Sequence, residues 1–159
     1  MRSPTLTDGS AALPAILNLL ERLNQGFARR DVSQVLDLFT PDPEIVFIGS
    51  EAGETATGPT QLRTLLEALF ARPETYQWRW GQLHVRVIGQ VAWLTTEATL
   101  RVQGRERLEL PYRITLVLQR RGGRWLVIHY HGSEPVAVPQ PSPGVNTDLS
   151  QHLEAVRTH

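Results

Sequence analysis

Two histidines stand two residues apart late in the sequence, His129 and His131 within Trp125-Leu126-Val127-Ile128-His129-Tyr130-His131-Gly132-Ser133-Glu134-Pro135. On an extended strand they point to one side, with Cα atoms about 6.5–7 Å apart. Such a pair can hold zinc or iron when a neighbouring strand supplies a third ligand, for which Glu97 and His84 are the available groups. It can also act as an acid–base centre, with Glu97 orienting a histidine base and Arg113 anchoring an anion. Glu97, Arg113, His129 and His131 are therefore the candidate catalytic residues. The plainer account is a set of cross-strand polar contacts on an outer or subunit-facing surface, each worth about 0.2–1 kcal/mol. It is the preferred account, because these residues alternate with a more apolar face that should meet the helices. No metal and no cofactor is expected.

The apolar face supplies a second set. Trp78, Thr96, Tyr112, Ile128 and Tyr130 could line a cavity, with Phe27 and Phe47 opposite. Small-molecule pockets are mostly apolar with a few polar groups, and two tyrosines and a threonine could orient a neutral ligand. Trp78, Trp80, Trp93 and Trp125 read as packing anchors. No Gly-x-Gly-x-x-Gly, Walker-type loop, Gly-x-Ser-x-Gly or His-Glu-x-x-His occurs. Ser133 follows a strand but no helix follows it, so it does not read as a hydrolase nucleophile.

The positioning elements follow from periodicity. Ile16, Leu20, Leu23 and Phe27 share one face of a helix over about Leu13 to Arg29, with Pro14 in its first turn. Asp31 can cap a second helix, with Gln34 as reciprocal partner; Val35, Leu36, Leu38 and Phe39 are its apolar side, and Pro41 and Pro43 end it. Glu44 to Gly49 read as a buried strand, and Glu54 to Leu62 as a loop opening a third helix at Pro59. That helix carries Leu62, Leu65, Leu66, Leu69 and Phe70 on one stripe and stops at Pro73. From Thr75 the period becomes two. A one-residue bulge near Gly81 would bring Trp78 and Trp80 onto the face of Leu83, Val85 and Val87. Gly89-Gln90 and Gly122-Gly123 mark hairpin turns. Helices gathered before four long antiparallel strands predict an α+β roll, with three N-terminal helices packed on a curved, mainly antiparallel sheet.

The chain has 159 residues with equal numbers of acidic and basic groups, 16 each. This suits one domain, and the zero formal charge gives no general attraction to nucleic acid or anionic membrane. Without cysteine, disulfides and thiolate chemistry are excluded. Residues 1–12 read as a flexible tail, 13–136 as the folded domain, and 137–159 as a Pro-rich linker with a short helix bearing Leu149, Leu153 and Val156. No long apolar run reads as a signal peptide or membrane span, and a cytoplasmic protein is expected.

The landmarks Arg30-Asp31, Leu38-Phe39, Thr57-Gly58-Pro59, Val87-Ile88-Gly89, Val91-Ala92-Trp93, Gln119 to Trp125 and His129 to Pro135 together resemble the SnoaL-like group of the nuclear-transport-factor-like superfamily. The closing segment is also similar to the association (hub) domain of calcium/calmodulin-dependent protein kinases. The resemblance implies a cone-shaped barrel with a pocket between sheet and helices, and a homodimer. The carboxylate and tyrosine of steroid-isomerase relatives would fall near Phe47 and Leu23, and the hub's acid-binding arginines near Thr99, Leu116 and Gly132, so neither chemistry carries over. The expected function is binding of a small, mostly apolar neutral molecule in the cavity of a homodimer. The alternatives are a cofactor-independent isomerase, dehydratase or hydrolase with a His/Glu pair, and a hub-like assembly domain.

Overall fold

The structure is a computed structural model that describes residues 6–7 and 11–136. Its elements are β1 (Leu6–Thr7), α1 (Leu13–Arg29), α2 (Val32–Leu36), β2 (Val46–Ile48), β3 (Thr55–Thr57), α3 (Gly58–Phe70), β4 (Thr75–Ile88), β5 (Val91–Gln103), β6 (Arg107–Arg121) and β7 (Arg124–Ser133). The expected short C-terminal helix lies outside the described residues. One sheet runs β1-β4-β5-β6-β7-β2-β3, and the helices pack on its inner face. This is the expected α+β roll, with the sheet left open. The four long strands pair consecutively and antiparallel, while β2 joins β7 in parallel. No helix among the described residues is long and apolar enough to cross a membrane.

The alternation read from sequence becomes the core. Leu94, Leu116 and Tyr130 lie side by side on three adjacent strands, and Ile16, Leu20, Leu23 and Phe27 of α1 pack over that face. The bulge near Gly81 is present: the register shifts between Trp80 and Leu83, and the Trp78 and Trp80 rings stack at 6.0 Å on the inner side. Gly122 and Gly123, at φ 54° and 77°, close the last hairpin with the positive φ a side chain resists. Asn24 of α1 acts as a strand partner for β4, donating to Trp78 O at 2.7 Å and accepting from Trp78 N at 2.8 Å. It satisfies both backbone groups of Trp78 on the side of β4 turned away from β5, a stretch that the two-residue β1 does not reach.

Four local features differ from the periodicity. Thr55–Thr57 is an edge strand rather than loop, because pairing with β2 satisfies its backbone. Leu6–Thr7 pairs with Val87 and Ile88, where two residues give no periodic signal. Asp31 caps α2 through Gln34 N at 2.9 Å, but the Gln34 amide turns to Arg22 O at 2.9 Å, so the reciprocal half of the capping box is absent. A second bulge falls between Val117 and Leu118 on β6, which pair with His129 and Val127. Val127 N donates to Leu38 O and Val127 O accepts from Thr40 N, so the segment after α2 fixes this kink. The extra residue, Ile128, is turned to the outer face.

Candidate functional site

The end of the inner face bounded by α1, α3 and the loop after β2 is not filled by side chains. It encloses a cavity of about 290 Å³. Its walls are apolar: Phe27 from α1, Phe47 from β2, Leu69 from α3, and Trp78, Leu100 and Leu110 from successive long strands. The aromatic rings brace one another. Phe47 stacks on Tyr130 at 4.4 Å, Trp78 meets Phe27 edge-on at 4.8 Å, and Trp78 lies 6.1 Å from Tyr112. The Trp78 indole Nε1–H is buried with no partner among the described residues.

One end of the cavity is polar, and its residues come from two strand ends that lie side by side. β2 continues as Gly49-Ser50-Glu51 and its parallel neighbour β7 as Gly132-Ser133-Glu134, both running on from the pair Ile48↔His131. Each glycine makes room for a functional side chain. A Cβ at Gly132 would overlap the Tyr112 hydroxyl, and one at Gly49 would strike the Glu54 side chain, at 2.7 Å from its Cβ. Ser50 Oγ donates to Glu134 Oε1 at 3.0 Å. Glu54 Oε2 accepts from Glu51 N at 3.2 Å, and its Oε1 lies 3.8 Å from Arg72. Arg72 Nη1 binds Glu51 Oε2 at 3.0 Å, with the Tyr76 hydroxyl close to the guanidinium. The Tyr112 side chain lies beside those of Ser50 and Tyr130.

Burial, more than any neighbour, raises the proton affinity of the acids here. It lifts Glu54 above its ordinary value, helped by the charge of Glu51 and opposed by the Glu51 amide and Arg72. Burial also lifts Tyr112, with Glu54 and Glu134 adding to the rise, and pushes Tyr130 well above the usual phenol range. Both tyrosines are therefore protonated hydroxyls at neutral pH. The chemistry on offer is hydrogen bonding by two phenols and a serine, beside a carboxyl whose proton is held more firmly than usual.

Residues 16–138 match the SnoaL-like domain. The chain belongs to the SnoaL-like family. Three solved structures have the same fold. An NTF2-like protein of unknown function from Pseudomonas putida KT2440 is 23% identical, with TM-score 0.70 over 85% of this SnoaL-like chain and 93% of the other. A candidate aromatic ring hydroxylase from Novosphingobium aromaticivorans is 19% identical, with TM-score 0.72 over 82% and 94%. A candidate calcium/calmodulin-dependent protein kinase II association domain from Xanthomonas campestris is 20% identical, with TM-score 0.67 over 83% and 91%. At these identities the likeness concerns the fold. No curated protein matches the SnoaL-like chain at a significant level.

Of the residues singled out by sequence, Phe27, Phe47, Trp78, Tyr112 and Tyr130 line the cavity. Thr96 and Ile128 do not. Thr96 faces inward but lies beside the Gly81 bulge, where its hydroxyl donates to Glu97 O at 2.7 Å. Ile128 is carried outward by the second bulge and sits with Val117 and His129 in an outer groove. Glu97, Arg113, His129 and His131 all belong to the outer face and none reaches the cavity. Glu97 and Arg113 are cross-strand partners, Arg113 pairs next with Ser133, and His131 pairs with Thr115, two residues along β6 from Arg113. Among the described residues no group of three or more His, Asp or Glu is placed to hold a metal ion. Sequence reasoning missed Ser50, Glu51, Glu54, Arg72, Glu74 and Glu134. The repeated Gly-Ser-Glu is the signal that could have found part of this set.

The raised Glu54 predicts a pH effect. The folded state holds this proton more tightly than the unfolded chain, whose carboxyl keeps the ordinary value of 4.5. The stability it contributes is complete below that value and is lost as pH rises through the folded value. Glu54→Gln removes that loss, so the stability of the variant relative to wild type should climb as the pH rises from 4.5 upward. Urea unfolding across that range checks it; a flat or falling difference contradicts the assignment.

Proposed function

We propose that this SnoaL-like protein binds a small organic molecule with a largely apolar body in the cavity between α1, α3 and the sheet. The observation that carries the reading is the cavity itself. An apolar chamber of about 290 Å³ walled by six aromatic side chains, with hydroxyls and carboxylates gathered at one end, has the form of a ligand site. Its volume suits a body of about one or two fused rings.

Leu110→Trp tests the proposal. Leu110 is half-buried on β6 and borders the cavity, so an indole there occupies the chamber while its edge can reach solvent. The neutral fluorescent probe N-phenylnaphthylamine is expected to bind wild type with enhanced emission. The variant, with unchanged circular dichroism, is expected to bind it at least about tenfold more weakly. Equal binding by the two proteins would mean that the probe, and by extension a ligand, does not enter the cavity.

A further inference from the structure

We infer that the ligand carries a protonated amine, an apolar ring body entering the aromatic chamber and an ammonium group lodged at its carboxylate-rich end. This rests on the cavity being a binding site and adds the head group that the site selects.

The cavity lining holds four carboxylates, Glu51, Glu54, Glu74 and Glu134, and among the described residues a single cationic side chain, Arg72. That cation is already engaged by Glu51 at 3.0 Å. Glu54 stands farther from it, at 3.8 Å. Glu74 lies against Gly104 of the β5–β6 hairpin, and Glu134 receives only the Ser50 hydroxyl; neither forms an ion pair among the described residues. Negative charge therefore exceeds positive at this end of the cavity, with Glu54 and Glu74 half-buried, where charges act more strongly on one another, and Glu51 and Glu134 exposed at the rim.

The excess is felt inside the chamber. Glu54 and Glu134 both raise the proton affinity of Tyr112, and Glu54 raises that of Tyr130. A site whose charges oppose forming a phenolate equally opposes a carboxylate ligand or a developing oxyanion. It favours a cation. The walls agree, since an ammonium among Tyr76, Trp78, Tyr112 and Tyr130 would face the negative side of aromatic rings.

The head-group arrangement follows from the fold. Two parallel strands ending in Gly-Ser-Glu at the same level bring Glu51 and Glu134 to one rim, and the β2–β3 loop and the segment after α3 add Glu54 and Glu74. The expectation of a wholly neutral ligand was drawn from the strand face alone, and all four carboxylates lie outside the inward positions of that face.

A matched series separates the head group from the body. The full chain is titrated by calorimetry with phenethylamine, phenethyl alcohol and phenylacetate, which share a carbon skeleton. The amine is expected to bind at least about tenfold more tightly than the alcohol, and phenylacetate most weakly of the three. Glu54→Gln combined with Glu134→Gln should weaken the amine at least about tenfold and abolish its advantage over the alcohol. Equal or weaker binding of the amine, or a preference that survives in the double variant, overturns the inference. If N-phenylnaphthylamine binds in the cavity while the amine shows no advantage, the head-group inference alone falls. If neither the probe nor any member of the series binds, the ligand site falls with it.

Discussion

Leu116→Ala is expected to lower the free energy of unfolding by about 2–5 kcal/mol. Leu116 has no exposed surface. It sits mid-strand on β6, directly between Leu94 of β5 and Tyr130 of β7. Those neighbours belong to hydrogen-bonded strands, so they cannot slide in to fill the space a shorter side chain leaves. The cost is then the lost burial plus the void, and that loss is a large fraction of the 5–15 kcal/mol typical of a domain's stability. Leu108→Ala is the matched control. Leu108 is 47% exposed at the cavity rim, and its truncation should stay within about 0.5 kcal/mol. Urea denaturation followed by far-ultraviolet circular dichroism gives both values. A Leu116→Ala loss below about 1 kcal/mol would mean that the sheet is not packed as described.

Gly132→Ala is the second large effect, expected at about 1–3 kcal/mol. The added methyl would overlap the Tyr112 hydroxyl and stand 2.8 Å from two ring carbons. Tyr112 has little freedom to retreat: it is buried, its ring faces Trp78 at 6.1 Å, and its side chain lies against those of Ser50 and Tyr130. Relief therefore has to come from a shift of β7 or from expulsion of the phenol from the polar end of the cavity. The second outcome would also weaken ligand binding. The cause can be isolated by pairing the change with Tyr112→Phe, which deletes the clashing oxygen. The double variant should be more stable than the sum of the two single losses predicts, because the sites are in direct contact. Strict additivity, or a Gly132→Ala protein as stable as wild type, would show that Tyr112 does not occupy this position.

Much of the architecture was legible along the chain. The stripe from Ile16 to Phe27 has helical spacing and forms α1, and the alternation of Leu94, Leu116 and their neighbours appears as the inner face. Even the bulge at Gly81 could be inferred, because two tryptophans were out of step with Leu83, Val85 and Val87. The bulge at Ile128 could not. Nothing in Val127-Ile128-His129 breaks the apolar pattern, and the kink arises from hydrogen bonds that Val127 makes to Leu38 and Thr40, far away in sequence. That one extra residue removes Ile128 from the face shared by Val127 and Tyr130.

The candidate site divides along the same line. Its aromatic walls were readable, since each ring sits on an element whose period shows which side faces the core. Its carboxylates were not, because they lie on loops and strand ends that have no period. Ser50 and Glu134 meet across a sequence separation of 84 residues, and only the parallel pairing of β2 with β7 brings them together. The sequence by itself determined the helices, the long strands and the oily face they enclose, through short-range spacing and burial. Tertiary structure alone decided which acids share the cavity. The physical reason is that the register between distant strands is a property of the whole sheet and leaves no trace in local spacing.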